Sequence, residues 1–220
     1  MKKNIRILFV GNSHTYYNDM PLTVRELFAK IGVTAEVTMQ TRGGKNLIYH
    51  SEQRDVIFNI LYGNYDYVVL QEVASSFEPD NFRNGLEAIA EKALSKSTAE
   101  PVLYMIWAHR DDKRRQTVIT EEYADAAERL GARLAPAGEV WHKLLRGNKS
   151  LPLYHEDGNH ATPLGSYIAA CSIFYAVTGR ERPIKLEENA EHESKPELDR
   201  EICRKIHSEV CRAAKKYNLK

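Results

Sequence analysis

Apolar and polar positions along the chain follow two rhythms. Short, nearly unbroken apolar runs, of the kind a strand buried on both faces requires, are separated by longer stretches in which apolar residues recur every three or four positions. Residues 5–10 (IRILFV) read as a strand closed by Gly11. Leu22, Val24, Leu27, Phe28 and Ile31 then mark a helix, with Asp19 as its cap and Gly32 as its stop. A second strand is expected over 35–39. Gly43-Gly44 breaks the chain, and one helical region runs on to Tyr62 before Gly63. The run 67–70 (YVVL) is a third strand. It is followed by a helix over 82–94, with apolar spacing at Leu86, Ile89, Ala90 and Ala93. Pro101 introduces a fourth strand, 102–107. Thr120 caps a helix over 121–130 that stops at Gly131, and 133–135 form a short fifth strand before Pro136. Pro163 fits the first turn of a helix reaching Thr178 and closed by Gly179. Beyond Pro183 the chain is highly charged. Pro196 reopens a helix over about 196–217, whose stripe of Leu198, Ile202, Ile206, Val210 and Ala213 is expected to pack on the body of the protein.

Five β runs, each followed by a helical segment, indicate an α/β fold with a parallel sheet. No repeat, linker or low-complexity tract divides residues 1–220, so one domain is expected. Composition narrows the function classes. Lysine and arginine total 31 against 30 aspartates and glutamates, a formal charge of +1. A nucleic-acid or polyanion binder advertises a basic excess, so neither partner is expected. The three cysteines, Cys171, Cys203 and Cys211, form no C-x-x-C pair. That argues against a zinc ribbon or thioredoxin-type site and for a reducing setting. Met1-Lys2-Lys3 could open a signal peptide, but the apolar run behind it is short, contains Arg6 and ends at Gly11-Asn12. No run approaches a membrane span. The expected setting is the cytoplasm, without a membrane partner.

In parallel sheets, ligands bind beyond the carboxyl ends of the strands. That rim carries four features. Ser13 follows the first strand before a helical region, where a serine either caps the turn or stands exposed as a nucleophile near free backbone N–H groups. Gly43-Gly44 follows the second strand, as a tight turn or as a backbone donor to a substrate oxygen. Gln71 ends the third strand, as an ordinary polar terminus or as an amide donor. Asp157 lies three residues before His160, a spacing that either serves a turn or sets a carboxylate beside an imidazole. Each feature alone reads as ordinary loop chemistry. The combination, with a nucleophile after strand one, donors after strands two and three and an Asp/His pair late, is more specific.

This arrangement resembles the SGNH hydrolases, also called GDSL-like esterases and lipases, over residues 5 to about 180. Gly11-Asn12-Ser13 is similar to their G-D-S block, Gly43 or Gly44 to their second-block glycine, and Asp157 with His160 to their D-x-x-H block. Asn12 replaces the usual aspartate. The G-x-N-D block is absent, and Leu70-Gln71-Glu72 stands in its place. The resemblance implies a three-layer α/β/α fold with strand order 2-1-3-4-5. It implies ester hydrolysis through an acyl-enzyme, with Ser13 as nucleophile, His160 as acid–base and Asp157 as its orienting acid. The oxyanion hole would comprise the N–H groups of Ser13 and Gly44 (Gly43 the alternative) and the Gln71 side chain. No metal or organic cofactor is implied. Asn12, His14, Glu72, Trp107, His109, Arg110 and Tyr154 fall in or near the rim loops and suit a sugar or small polar acyl ester, although Trp107 also reads as core and 110–115 as a solvated charged loop. The rival is a non-catalytic phosphate- or small-ligand-binding module at residues 11–15, which lacks both G-x-x-x-x-G-K-[ST] and G-x-G-x-x-G.

Overall fold

A computed structural model describes residues 2–184 and 198–218. Strand β1 (Asn4–Gly11) shows why the apolar run is nearly continuous. Its side chains alternate across the sheet, and both faces are covered. Ile5, Ile7 and Phe9 enter one core, Leu8 and Val10 the other. Strands β2 (Thr34–Thr41), β3 (Tyr67–Leu70), β4 (Glu100–Tyr104) and β5 (Arg133–Ala135) complete a five-stranded sheet in the order β2-β1-β3-β4-β5. All neighbouring pairs are parallel.

The first core is covered by helices α2 (Met20–Ala29), α7 (Ala137–Gly147), α8 (Pro163–Thr178) and α9 (Arg200–Asn218). The second is covered by α3 (Leu47–Glu52), α4 (Arg54–Tyr62), α5 (Pro79–Lys92) and α6 (Arg115–Leu130). A short helix, α1 (Ser13–Tyr16), leads out of β1. The fold is therefore the expected three-layer α/β/α arrangement. Register sets the strand ends in line: Gly11 lies opposite Thr41, Val10 opposite Leu70, Leu70 opposite Leu103, and Tyr104 opposite Ala135. The segments that leave these ends share one rim.

Several boundaries differ from expectation. The helical region after Gly44 is two helices, because Gln53 adopts an extended backbone (φ −83°, ψ 118°) between them. Helix α6 starts five residues before Thr120, which lies within it. The buried side chain of Gln116 anchors that earlier turn, accepting from Ala108 N at 2.8 Å. Asp19 precedes α2 but has a left-handed backbone and makes no side-chain cap bond. The expected helix start at Pro196 lies outside the described residues. From Arg200 onward α9 buries Cys203, Ile206, His207, Val210 and Cys211. His207 sits between the hydroxyls of Tyr167 and Tyr175, 2.8 and 3.0 Å away, which ties α9 to α8. Among the described residues no helix is long and apolar enough to cross a membrane.

Helix α7 escapes the sequence pattern. Its first turn carries Gly138, a residue that lowers helix propensity. The glycine is needed because β4 ends early. Met105 to Ala108 run on as buried irregular backbone, and Gly138 N donates to Met105 O at 3.1 Å. A β-carbon on Gly138 would stand 2.0 Å from the Ile106 carbonyl oxygen. Gly138→Ala is therefore expected to destabilise the fold by about 1–3 kcal/mol. Urea unfolding of the variant measures this, and unchanged stability would show that the backbone yields without cost.

Candidate functional site

The site begins at Gly11. A β-carbon there would stand 2.5 Å from Gln71 Oε1 and 2.7 Å from Thr15 Oγ1, so only glycine lets the next turn close over Gln71. Asn12 then caps α1: its Oδ1 accepts from His14 N at 3.2 Å, and its Nδ2 donates to Lys45 O at 3.0 Å. The capping role considered for Ser13 thus falls to Asn12. Ser13 becomes the first residue of the helix, half-buried, and its N–H has no intrahelical acceptor.

The late loop comes to meet it. A tight turn over 155–158 is closed by Gly158 N donating to His155 O at 3.0 Å, with Gly158 left-handed at φ +71°, and His155 N donates to His160 O at 2.8 Å, which folds Asn159 and His160 back beside it. The structure brings Ser13, His160 and Asp157 together. Ser13 Oγ lies 2.7 Å from His160 Nε2, and His160 Nδ1 lies 2.6 Å from Asp157 Oδ2. Asp157 Oδ1 accepts the N–H groups of Asn159 and His160, each at 2.9 Å. Burial pulls the Asp157 pKa upward, but the His160 hydrogen bond and these two N–H groups outweigh it and hold the carboxyl well below the usual carboxylate range. An ionised Asp157 fixes a proton on Nδ1 and leaves Nε2 free to accept from the serine.

Tyr17, which the sequence reading overlooked, stacks on His160 with centroids 4.2 Å apart and planes at 12°. His14 also stacks on it, at 5.1 Å and 29°. Burial, and then the nearby His160, lower the His14 pKa to about 4. His14 is therefore neutral and adds no like charge beside the imidazole. Asn18, likewise overlooked, donates to Ala161 O at 3.0 Å and Ser166 Oγ at 2.9 Å, which joins the serine loop to the start of α8. Only position, immediately after the serine motif, could have flagged these residues.

Four residues expected to touch substrate are instead buried. Asn12 is the cap described above. Trp107 stacks on Trp141 at 4.0 Å and 8°, and its indole N–H donates to Asn159 O at 2.9 Å. His14 Nε2 lies 3.2 Å from the same carbonyl oxygen. Glu72 accepts Leu47 N at 3.1 Å and Val73 N at 2.7 Å. Burial raises the Glu72 pKa to about 7, although the two N–H groups lower it. The reason for these corrections is common: each side chain turns inward to satisfy backbone groups of the rim loops. His109 and Tyr154 remain partly exposed. His109 Nε2 lies 3.3 Å from Asp157 O, and Tyr154 Oη donates to Ala108 O at 2.8 Å. Arg110 N donates to Gly158 O at 2.9 Å. The loop after β4 is thus a brace for the Asp157–His160 turn.

Gln71, expected to donate to an oxyanion, is turned inward as well. It is 0% exposed, its Oε1 accepts Asn12 N and Thr15 Oγ1 (both 2.9 Å), and its Nε2 donates to Glu72 O. Both ends of the amide are used inside the protein, so it offers nothing to an oxyanion. Gly43 and Gly44 are exposed and occupy the middle of a turn in which Lys45 N donates to Arg42 O at 3.1 Å. Gly44 is left-handed, φ +68°, as the third position of such a turn requires.

The fold is that of the SGNH, or GDSL-like, hydrolases. A DUF4886 family protein from Bacteroides uniformis superimposes with a TM-score of 0.74 at 19% identity, covering 97% of this chain and 95% of that one. A variant of the acetyl xylan esterase Axe2 from Geobacillus stearothermophilus gives 0.61 at 13% identity over 79% and 94%. The psychrotrophic esterase EstA from Pseudoalteromonas gives 0.60 at 13% over 79% and 97%. No protein-family model matches the chain, and no curated protein matches its sequence.

Proposed function

We propose that the protein is a serine esterase that hydrolyses a small acyl ester, with O-acetylated carbohydrates as the favoured substrate class. The observation that carries this reading is the unbroken relay from Ser13 Oγ through His160 to Asp157, at 2.7 and 2.6 Å. Neighbours of the same fold include an acetyl xylan esterase and a psychrotrophic esterase, which supports the reaction class.

Ser13 Oγ attacks the ester carbonyl carbon as its proton passes to His160 Nε2. The carbonyl π electrons move to the oxygen, which the Ser13 and Gly44 N–H groups receive, with Gly43 as the alternative second donor. Asp157 and the face of Tyr17 stabilise the imidazolium. Collapse breaks the bond to the alcohol, which leaves with the proton from Nε2. Water then attacks the acyl-serine through the same relay, releasing the acid and restoring Ser13. The mechanism requires no cofactor.

The test is labelling with a fluorophosphonate, which loses fluoride to the attacking serine, run beside p-nitrophenyl acetate hydrolysis. Ser13→Ala is expected to abolish both signals. Retained turnover in that variant would remove Ser13 from the mechanism. A panel of acetylated sugars against short aryl esters then tests the substrate class, with a higher kcat/KM expected on the sugars.

A further inference from the structure

We propose that the hydroxyl of Tyr16 is a third donor of the oxyanion hole, taking the place that the third motif of SGNH hydrolases gives to an amide. This rests on the serine-esterase reading above. The first observation is a vacancy of role. Gln71, the only polar residue at the end of β3 besides Glu72, is fully buried with its carboxamide bonded at both ends, and Glu72 is spent on Leu47 N and Val73 N. The segment following β3 therefore sends neither of these side chains to the serine.

The second observation is where Tyr16 stands. It closes the four-residue helix that Ser13 opens, and a three-residue offset puts both side chains on one side of that turn. Its hydroxyl reaches across to the glycine turn: a β-carbon on Gly43 would stand 3.1 Å from Tyr16 Oη. The hydroxyl thus lies between the nucleophile's helix and the Gly43-Gly44 backbone, the two elements that supply the other N–H donors. The residue is 37% exposed, and among the described residues its hydroxyl has no hydrogen-bond partner, so it is free to donate to an arriving oxygen. The next residue shows the same division of labour from the other side. Tyr17 lies flat on His160, while the Tyr16 ring centroid is 6.2 Å from that of Tyr17 at 37° and is directed to the glycines. Two adjacent tyrosines therefore bracket Ser13, one on its acid–base side and one on its oxyanion side.

A phenol that stabilises only the developing negative charge acts on kcat, whereas one that merely supports the substrate acts on KM. Tyr16→Phe removes the hydroxyl and keeps the ring. On p-nitrophenyl acetate, kcat is expected to fall about 10²-fold, the lower end for a lost oxyanion donor, with KM changed less than about twofold. Binding of a trifluoromethyl ketone, which forms an oxyanion on Ser13, is expected to weaken by a similar factor. A kcat within about threefold of wild type, or a change confined to KM, overturns the assignment. Stoichiometric fluorophosphonate labelling of Ser13 in the variant shows that it is folded. Ser13→Ala separates the two levels of the argument. If it abolishes turnover while Tyr16→Phe behaves as wild type, only the Tyr16 assignment falls; if it retains turnover, the esterase reading and this inference fall together.

Discussion

His160→Ala is expected to lower kcat about 10⁶-fold, and Asp157→Asn about 10⁴-fold, on p-nitrophenyl acetate. The first loss follows from the 2.7 Å contact, since no other base touches Ser13 Oγ among the described residues. The second follows from how Asp157 divides its oxygens. Oδ1 accepts two backbone N–H groups, and Oδ2 accepts His160 Nδ1–H. An asparagine in this turn keeps its oxygen on the two N–H groups, because its NH2 cannot accept them. The NH2 then faces Nδ1 and forces that nitrogen to accept. The ring proton moves to Nε2, and the base that Ser13 needs disappears. Shape and packing are unchanged, so the loss belongs to the tautomer rather than to misfolding. Combining both changes should cost no more than His160→Ala alone, as members of one relay are not additive. If either single variant kept kcat within about tenfold of wild type, proton transfer would have to run through another group.

What the sequence revealed and what it concealed divide along a physical line. The runs at Ile7–Val10 and Tyr67–Leu70, the turn glycines and the Asp157/His160 spacing are local signals, and each was legible because adjacent residues or a short period define it. Side-chain direction was not legible. Gln71 looked like a rim donor because it follows an apolar strand. It points inward because Gly11, sixty positions earlier in the chain, leaves room for its carboxamide beneath the serine turn. Trp107 and His14 looked like substrate contacts, yet both converge on the Asn159 carbonyl, a contact that exists only once the late loop has docked. Helix α7 was hidden by Gly138, whose reason is a close approach to Ile106. Tyr16 and Tyr17 belong to no motif, and their roles come from which neighbour each ring meets.

The same inward turn gives Glu72 the second large effect. Its carboxyl is buried with two N–H donors, and no cationic side chain among the described residues pairs with it. Burial raises its pKa from an ordinary 4.5 to about 7. A raised carboxyl pKa means that the native state holds its proton more tightly than the unfolded chain. The stabilisation is then fully present below pH 4.5 and is lost as pH rises to about 7 and beyond. That interval amounts to about 3 kcal/mol at 1.36 kcal/mol per pH unit. Glu72→Gln presents a neutral side chain of the same shape; its oxygen accepts one of the two N–H groups and its NH2 leaves the other without an acceptor, a cost that is the same at every pH and cancels from the slope. Urea unfolding of both proteins from pH 4.5 to 8 is therefore expected to show the variant gaining about 3 kcal/mol on the wild type across that range. Taking the difference removes His14 and His142, whose burial-lowered pKa values, each about 4, make stability rise with pH over the lower half of the window. A flat difference would show that the cavity around Glu72 tolerates its charge. A difference of opposite sign would show that the Leu47 and Val73 N–H groups outweigh burial, making the carboxylate itself the form that holds α3 and the glycine turn in place.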